Sequence, residues 1–413
     1  MPRHPISVTL SLGSAPYQKT LARTLCSAGM LRRFFNHNPF LDIQEPDTAG
    51  ALHVIRRFPV YRFLNRVVWA IWRRLPKPIK LPREGPILLS VLLADWLASP
   101  WIEPGCIFHG CAGVSLRSLS VAKRQGAITI VDSAMRHPRH WRASAVEECR
   151  RFGVSPSTTT APFSEALIRR MEREYRLADH IVVNSAAAQE SFAQFGYADK
   201  TVLVPSGVDA EFFAPNQPNA IAPSTDTGRP VFRVCYVGRV EFAKGLGYLL
   251  EAWKRLALPD AELLLVGEVK PEIRPLLESC SSVNVRTVGF ALPSQVSQHF
   301  RRSNLFVFPS ANEGLAQVLL EAMASGLAVV AADRSGACEC VTHEKDGLIV
   351  PSQDEHPLAA AIQWCYEHPQ QVCAMGRAAR AKIESQFTLH HYNQRIIALY
   401  QRLAATYCEA SSE

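Results

Sequence analysis

The feature that most constrains the fold is an alternation of short β-branched runs with helix-period segments, which occurs twice along the chain. In the first half the runs lie at residues 7–12, 106–109, 127–131 and 180–184. A stretch rich in Pro, Asn and Thr, residues 214–230, then interrupts the pattern. The alternation restarts with runs at residues 233–238, 262–267, 283–286, 304–308 and 328–331. Each series predicts a parallel sheet that is covered by helices on both faces.

The sequence therefore predicts two doubly wound α/β domains that face each other across a cleft at the carboxyl ends of their strands. We place the N-terminal domain in residues 1–213, the linker in 214–230 and the C-terminal domain in 231–385. A last helix in 386–413 could pack on either domain. The length of 413 residues suits two cores, and 47% hydrophobic with 20% charged residues excludes a disordered or coiled-coil chain.

The N-terminus, the apolar stretches and the cysteines together predict the cellular compartment of the protein. The longest apolar stretch, residues 87–98, contains Asp95 and is too short to cross a bilayer. The N-terminus carries no secretory signal, and the 11 cysteines form no CxxC pair. A cytoplasmic chain with reduced cysteines is expected.

The positive charge is concentrated in one segment. Residues 56–83 contain nine Lys or Arg and no Asp or Glu, whereas the whole chain has a net charge of +8. Cations interleaved with aromatic residues, such as Arg62 and Arg66 beside Phe63 and Trp69, suit a helix at an anionic membrane surface. The alternative is an amphipathic helix packed on its own domain. Nucleic acid is not expected as a partner, because no zinc-finger, RNP or KH pattern occurs.

Two motifs in the second half carry candidate chemistry. After the run that ends at Phe308, the sequence places Glu313 and Gly314 just before a helix that opens near Ala316, with Glu321 about two turns in. A helix N-terminus binds anions, and two carboxylates can accept hydrogen bonds from sugar and ribose hydroxyls. On these residues alone, Glu313 could equally be a capping residue and Glu321 a member of a buried ion pair.

The other motif is a pair of cations, Arg239 and Lys244, in the loop after residues 233–238. A guanidinium binds phosphate through two parallel hydrogen bonds and an ammonium acts as a compact charge, so the pair suits a diphosphate. An isolated pair of this kind would normally be two solvated surface cations. Here both motifs fall at the same edge of one predicted sheet.

Together these motifs resemble glycosyltransferase family 4, whose members have the GT-B architecture of two Rossmann-like domains. The resemblance is close over residues 233–351 and weaker but ordered in the first half. It implies that Arg239 and Lys244 hold the diphosphate of a nucleotide sugar, that Glu321 binds the ribose and that Glu313 contacts the donor sugar. The remaining implied donor contacts are backbone groups at Gly238, Gly267, Gly314, Leu315 and Ala316. The family usually has Phe-Gly where this chain has Leu315-Ala316, and this difference could alter sugar choice.

On the acceptor side the resemblance implies a role for Gly13 in the first turn and for the residue that follows the run at 127–131. Many family members have a histidine at this second position, where this chain has Asp132. Asp132 could accept the hydrogen bond of an acceptor hydroxyl, or His109 could take part, with His137 further downstream. A lone histidine at a strand end is more often structural, so these alternatives stay open.

The mechanism expected from the resemblance is retaining transfer without a divalent metal or other cofactor. The chain contains no Asp-x-Asp, the carboxylate pair that would hold a metal against a diphosphate. Cations and a helix N-terminus can stabilise the leaving group instead. The expected acceptor is a lipid-linked saccharide in polysaccharide or glycolipid biosynthesis, at the inner face of the membrane. The alternatives are a soluble acceptor, as in a sugar-phosphate synthase, a nucleotide-sugar epimerase, and a catalytically degenerate scaffold subunit.

Overall fold

A computed structural model describes residues 6–12, 16–36, 55–56, 59–74, 84–103, 105, 107–155, 164–215, 231–280 and 284–410. The predicted fold class is confirmed: the described residues form two parallel sheets with helices on their faces. The linker prediction lies mostly outside the described residues, and so do parts of the basic segment 56–83. No helix of the described residues has both the length and the apolar character that spanning a membrane requires.

The first sheet has seven strands in the order β3-β2-β1-β4-β5-β6-β7, all parallel. Its strands are β1 (Val8–Leu12), β2 (Leu31–Asn36), β3 (Ile55–Arg56), β4 (Ile107–Cys111), β5 (Ile128–Ser133), β6 (His180–Val183) and β7 (Thr201–Leu203). Its helices are α1 (Pro16–Ser27), α2 (Pro59–Arg74), α3 (Glu84–Ala98), α4 (Leu116–Arg124), α5 (Pro138–Arg151), α6 (Glu165–Leu177) and α7 (Ala186–Ala193).

The second sheet has six parallel strands in the order β10-β9-β8-β11-β12-β13. These strands are β8 (Phe232–Val237), β9 (Ala261–Val266), β10 (Val285–Gly289), β11 (Leu305–Phe308), β12 (Ala328–Ala332) and β13 (Gly347–Val350). The helices after the first sheet are α8 (Leu246–Leu256), α9 (Arg274–Ser279), α10 (Pro293–Arg301), α11 (Gln317–Ala324), α12 (Glu355–Glu367), α13 (Pro369–Lys382) and α14 (Leu389–Ala410).

The central strands are continuous apolar runs because helices cover both faces of each sheet. Every residue of β1, β5 and β12 is buried, as expected for parallel strands without a solvent face. On one face of the first sheet, α1 and α14 supply the core, while α3, α4, α6 and α7 supply it on the other. The second sheet has a single large core of its own.

Helix α14 connects the end of the chain to the first sheet. The rings of Tyr17 in α1 and Tyr392 in α14 meet edge to face with centroids 5.0 Å apart. Asn393 donates to the Thr24 hydroxyl at 2.8 Å, and Tyr400 is completely buried against the same face. The last helix thus completes the core beneath the carboxyl ends of β4 and β5.

Candidate active site

The cationic loop follows β8 at the carboxyl edge of the second sheet. Its backbone passes through Gly238 and a short helical turn, Phe242–Lys244, before Gly245 starts α8. Gly245 has a φ of +74°, and a Cβ there would overlap the Pro309 carbonyl oxygen of the loop after β11. Glycine is needed because only this close approach brings Lys244 next to the loop that carries Glu313.

Both predicted cations are paired with carboxylates. The Lys244 ammonium donates to Glu313 Oε1, and each of these two side chains is 17% exposed. Ser310 Oγ also donates to Glu313 Oε1, at 3.2 Å. Arg239 Nη2 lies 2.9 Å from Oε1 of Glu241, a buried carboxylate whose pKa burial raises. The structure thus brings Lys244 and Glu313 together, and it adds Glu241, for which the sequence offered no signal.

Glu321 lies about one turn into α11, closer to the N-terminus of the helix than the sequence indicated. Among the residues that the structure describes, its carboxylate is assigned no hydrogen bond or ion pair, so the predicted alternative of a buried ion pair is not seen there. Burial raises the pKa of Glu321 to about 7. A carboxylate held in a dehydrated position without a protein partner is suited to accept hydrogen bonds from ligand hydroxyls.

The loop before α11 is in contact with the N-terminal domain through Asn184, which follows β6. The Asn184 amide donates to the Leu315 carbonyl oxygen at 3.1 Å, and its Oδ1 accepts from the Leu315 N–H at 3.1 Å. A Cβ at Gly314 would overlap Asn184 Oδ1. The group that approaches Gly314 and Leu315 is therefore a side chain of the other domain. The predicted contacts of Gly314, Leu315 and Ala316 with a donor stay predictions.

Arg136 makes a second connection between the domains, and no sequence motif pointed to it. Its Nε donates to the Glu313 carbonyl oxygen at 2.8 Å and its Nη2 to the Arg334 carbonyl oxygen at 3.0 Å. The Arg136 side chain is almost fully buried, and burial lowers its pKa. The turn after β5 therefore lies directly against the loop that carries Glu313.

Asp132 lies at the carboxyl end of β5, four residues before Arg136. The Gln18 amide donates to Asp132 Oδ2 at 3.2 Å, and Tyr17, Tyr392 and Tyr400 are close enough to interact electrostatically with the carboxylate. Burial raises the pKa of Asp132 to about 6, while the Gln18 hydrogen bond lowers it. Near neutral pH this carboxylate is ionised but sparsely hydrated, as an acceptor of a hydroxyl hydrogen bond would need to be.

His109 lies deeper in the same face of the sheet. It is completely buried in β4, two residues before Cys111, the residue that pairs with Asp132. Its Nδ1 lies 2.7 Å from the Tyr400 hydroxyl, and burial lowers its pKa to about 3. The neutral ring contacts a tyrosine that adjoins Asp132, so the geometry favours Asp132 over His109 as the acceptor-side group.

The other predicted positions are distributed as follows. His137 is buried in a cluster of aromatic rings from α6 and the α7 region, stacked on Phe195 with centroids 4.0 Å apart. Its contacts share no residue with those of Asp132, so the structure does not bring the two together. Gly13 lies outside the described residues. Gly238 and Gly267 meet at the carboxyl ends of β8 and β9, where a Cβ on Gly267 would overlap the Gly238 carbonyl oxygen.

One group of potential metal ligands occurs among the described residues. Asp354, Glu355 and His356 cluster at the start of α12, with His356 Nδ1 3.1 Å from Asp354 Oδ1. Exposed acidic groups of this kind are common without a bound ion.

Comparison with known proteins gives the site its context. Residues 231–368 match the family model described as Glycosyl transferases group 1. Sucrose-phosphate synthase from Thermosynechococcus elongatus superposes with a TM-score of 0.65 and 22% identity, over 98% of this chain and all of that one. Anabaena HepE, solved with UDP and glucose, superposes with a TM-score of 0.63 and 18% identity, over 97% of this chain and all of that one. Residues 231–368 thus match the glycosyl transferases group 1 family, and the chain as a whole has the GT-B fold of these solved structures.

Curated relatives match this GT-B chain over part of their length. The amylovoran biosynthesis glycosyltransferase AmsK of Erwinia amylovora is 29% identical over 42% of this chain and 45% of its own length. The GDP-mannose-dependent alpha-(1-6)-phosphatidylinositol monomannoside mannosyltransferase of Mycolicibacterium smegmatis is 30% identical over 63% of this chain and 66% of its own length. The chain thus spans about half to two thirds of these two proteins, and the solved structures establish its fold alone.

Proposed function

We propose that this GT-B chain transfers a sugar from a nucleotide-diphosphate sugar to a hydroxyl of a saccharide acceptor, with retention of the anomeric configuration. The observation that carries the proposal is the contact between the Lys244 ammonium and the Glu313 carboxylate. It joins two loops at the carboxyl edge of one sheet, directly against Arg136 from the other domain. A cation, the carboxylate proposed to bind the sugar and the domain proposed to bind the acceptor thus lie in contact.

The electrostatic demand of the reaction matches these side chains. A departing nucleoside diphosphate carries two to three negative charges, and Arg239, Lys244 and the N-terminus of α11 supply the opposite charge. The donor would exchange the present pairs, since Arg239 now contacts Glu241 and Lys244 contacts Glu313. The diphosphate would then compensate the two cations, while Glu313 would accept hydrogen bonds from the donor sugar.

Retention follows from departure and attack on the same face of the sugar. The bond from the anomeric carbon to the diphosphate oxygen breaks, the acceptor oxygen bonds to that carbon, and the acceptor proton passes to the departing phosphate. This route needs no nucleophile from the protein. Asp132 would orient the acceptor hydroxyl, with its carboxylate held by Gln18.

A lipid-linked acceptor is favoured by the surface of the N-terminal domain. On α2, Phe63, Val67 and Ile71 are 66%, 36% and 56% exposed, and they lie on one helical face. Arg66 and Arg74 are exposed on the same helix. An amphipathic helix with an uncovered apolar face and flanking cations suits the interface of an anionic membrane. We therefore place the protein at the inner face of a membrane, bound peripherally through residues 56–83.

The names of relatives support two acceptor classes. The mannosyltransferase from M. smegmatis acts, by its name, on a phosphatidylinositol mannoside, whereas sucrose-phosphate synthase is the structural relative that favours a soluble acceptor. Hydrolysis of UDP-, GDP- and dTDP-sugars by the purified chain would identify the donor. Transfer from that donor to a lipid-linked or to a soluble acceptor then separates the two acceptor classes. If none of the donors is hydrolysed, the chain is a scaffold subunit.

Donor affinity is expected to rise with pH through about 7. In the free protein the carboxyl of Glu321 has a pKa of about 7, so below that pH it holds a proton that ribose binding must displace. Linkage then predicts a loss of affinity of about tenfold per pH unit below 7. Calorimetric titration with the identified nucleotide sugar between pH 5.5 and 8.5 measures this slope. Glu321→Gln should remove it, whereas Glu278→Gln, at an exposed position on α9, should retain it. An unchanged slope in Glu321→Gln would contradict the ribose assignment.

Transfer is expected to continue in excess EDTA and to give a product with the donor's anomeric configuration. The reason is that the sequence lacks Asp-x-Asp while cationic groups at the donor loops can offset the leaving charge. The measurements are initial rates with and without chelator, and the anomeric coupling constant of the product by NMR. Activity that disappears in EDTA and returns with Mg²⁺ or Mn²⁺ would refute the first expectation, and an inverted product would refute the second.

A further inference from the structure

A groove lined by four arginines lies between α4 and α6, on the outer face of the first sheet. It encloses about 450 Å³. Arg117 and Arg124 are two turns apart on α4, and Arg170 and Arg173 are one turn apart on α6, so each pair lies on one face of its helix. No acidic side chain lines this groove. It has no part in the donor or acceptor sites described above.

Two of the four guanidinium groups are held in position by the fold. Arg170 donates through Nε to the Gly113 carbonyl oxygen at 2.8 Å and is paired with Asp95, a buried carboxylate. Arg117 donates through Nε to Ser99 Oγ at 2.8 Å, and its backbone N–H donates to Asp95 Oδ2 at 2.7 Å. Asp95 therefore orients the Arg170 guanidinium directly, and it fixes the backbone of α4 at Arg117.

The other two arginines have charge left for a ligand. Arg124 and Arg173 are exposed, and within the described part of the chain neither is assigned an ion pair or hydrogen bond. The cavity is therefore lined by two guanidinium groups that the fold fixes and by two that have no counter-charge among the described residues. Such a set fits a phosphate, which arginine binds through parallel hydrogen bonds.

The groove continues into a second cavity of about 360 Å³ along α3, and Arg117 and Arg170 line both. Besides the paired Asp95, the rest of its lining is apolar. Leu89, Leu92 and Trp96 lie on one face of α3 and are 51%, 43% and 57% exposed. Helix α2 packs beside α3 and carries the second exposed apolar row described above. Uncovered apolar rows on two helices therefore adjoin the cationic groove.

We propose that the groove between α4 and α6 binds the phosphate headgroup of an anionic membrane phospholipid, with the exposed faces of α2 and α3 set into the bilayer interface. A bilayer interface suits both the apolar row of α3 and the arginine groove. It would bury Leu89, Leu92 and Trp96, and it would supply phosphate groups to the adjoining cations. A nucleic acid would leave the leucines in water. The inference rests on the membrane contact proposed for residues 56–83, and it adds a site in which none of the four arginines belongs to that segment.

Co-sedimentation with vesicles tests the site. Four proteins are compared on phosphatidylcholine vesicles with and without phosphatidylglycerol: the wild type, Arg124→Gln/Arg173→Gln, the α2 variant Arg66→Gln/Arg74→Gln, and the control Arg255→Gln/Arg377→Gln. The control arginines are exposed in the other domain, so net charge changes equally. Each basic residue near an anionic leaflet strengthens binding about fivefold, so the groove variant should bind phosphatidylglycerol vesicles about 30-fold more weakly. The control should bind like the wild type.

The outcomes separate this inference from the proposed function. Wild-type binding by the groove variant, together with weakened binding by the α2 variant, would overturn the headgroup site and leave the membrane contact intact. If the control variant binds vesicles as weakly as the groove variant, net charge alone explains the loss of binding. That result would also overturn the headgroup site. No vesicle binding by the wild type would overturn both membrane proposals, while donor hydrolysis in the same preparations reports on the transferase separately. Loss of single-stranded DNA binding in the groove variant, without loss of vesicle binding, would assign the groove to nucleic acid instead.

Discussion

Lys244→Ala is expected to lower the turnover number for sugar transfer by roughly 30- to 1,000-fold, which corresponds to about 2–4 kcal/mol of transition-state stabilisation. The ammonium of Lys244 is only 17% exposed, so its charge acts on the leaving diphosphate with little screening by water. No other cation is seen in contact with Glu313 through its carboxylate in the described residues. Steady-state rates with the identified donor measure the loss.

The thermal midpoint should move by at most about 4 °C, because a pair of this kind contributes little to folding and Ser310 still donates to Glu313 in the variant. Lys254→Ala is the matched control: Lys254 pairs with Glu251 at 2.8 Å on the neighbouring helix α8. It should retain wild-type turnover. A folded Lys244→Ala protein with near-normal turnover would remove Lys244 from the diphosphate site.

Asp132→Asn is expected to lower transfer by roughly 10- to 150-fold, because a hydrogen bond to a charged group contributes about 1.5–3 kcal/mol. The substitution keeps the shape of the side chain and its contact with Gln18 but removes the charge that would hold the acceptor hydroxyl. The loss should appear with the acceptor, whereas binding of the donor alone should be unaffected. Transfer rates and donor calorimetry on the same variant measure the two effects.

The pH profile distinguishes this role from a structural one. Burial raises the pKa of Asp132 to about 6, so wild-type transfer should fall as the pH drops below 6 and the carboxylate becomes protonated. Asp132→Asn should lose this dependence. Asp199→Asn, at an exposed position of the same domain, should behave like the wild type. If Asp132→Asn is fully active, Asp132 is only a strand-end residue and His109 becomes the candidate to test.

The donor loop is held by two hydrogen-bonded contacts with the N-terminal domain. Asn184 occupies the N–H of Leu315, and Arg136 holds the carbonyl oxygen of Glu313. The Leu315 N–H, which the donor is expected to contact, is thus already hydrogen-bonded to the opposite domain. Since buried backbone groups are costly to leave unpaired, donor binding and domain separation should exchange one set of hydrogen bonds for another.

Much of the fold could be read from the sequence because buried parallel strands are continuous apolar runs. The runs of both series correspond to strands, from β1 to β12. The sequence did not predict β2, β3, β7 and β13, which lie at or next to the edges of the two sheets. Strands near an edge need only one apolar face, or very few residues, and β2 even carries Arg32 and Arg33. Their pattern is therefore too weak to separate from a loop.

The donor side was predictable to a similar degree because its residues are local in sequence. Lys244 and Glu313 each follow a strand by a few residues, and parallel strands align their carboxyl ends at one edge. The sequence could not show that each of the two donor-side cations has an acidic partner, since the buried Glu241 beside Arg239 resembles any loop glutamate. Nor could it decide whether Glu321 has a partner, which depends on packing around α11.

What the sequence determined by itself is the periodic part of the molecule: two doubly wound sheets, their order along the chain, and short motifs at strand ends. Only the tertiary structure decided which distant groups meet. It buried His109 against Tyr400 and placed His137 among aromatic rings. It also set Asp132 between α1 and α14, two helices that are more than 350 residues apart in the chain. The physical reason is that burial and electrostatics depend on contacts across the fold, whereas periodicity records only which face of an element is covered.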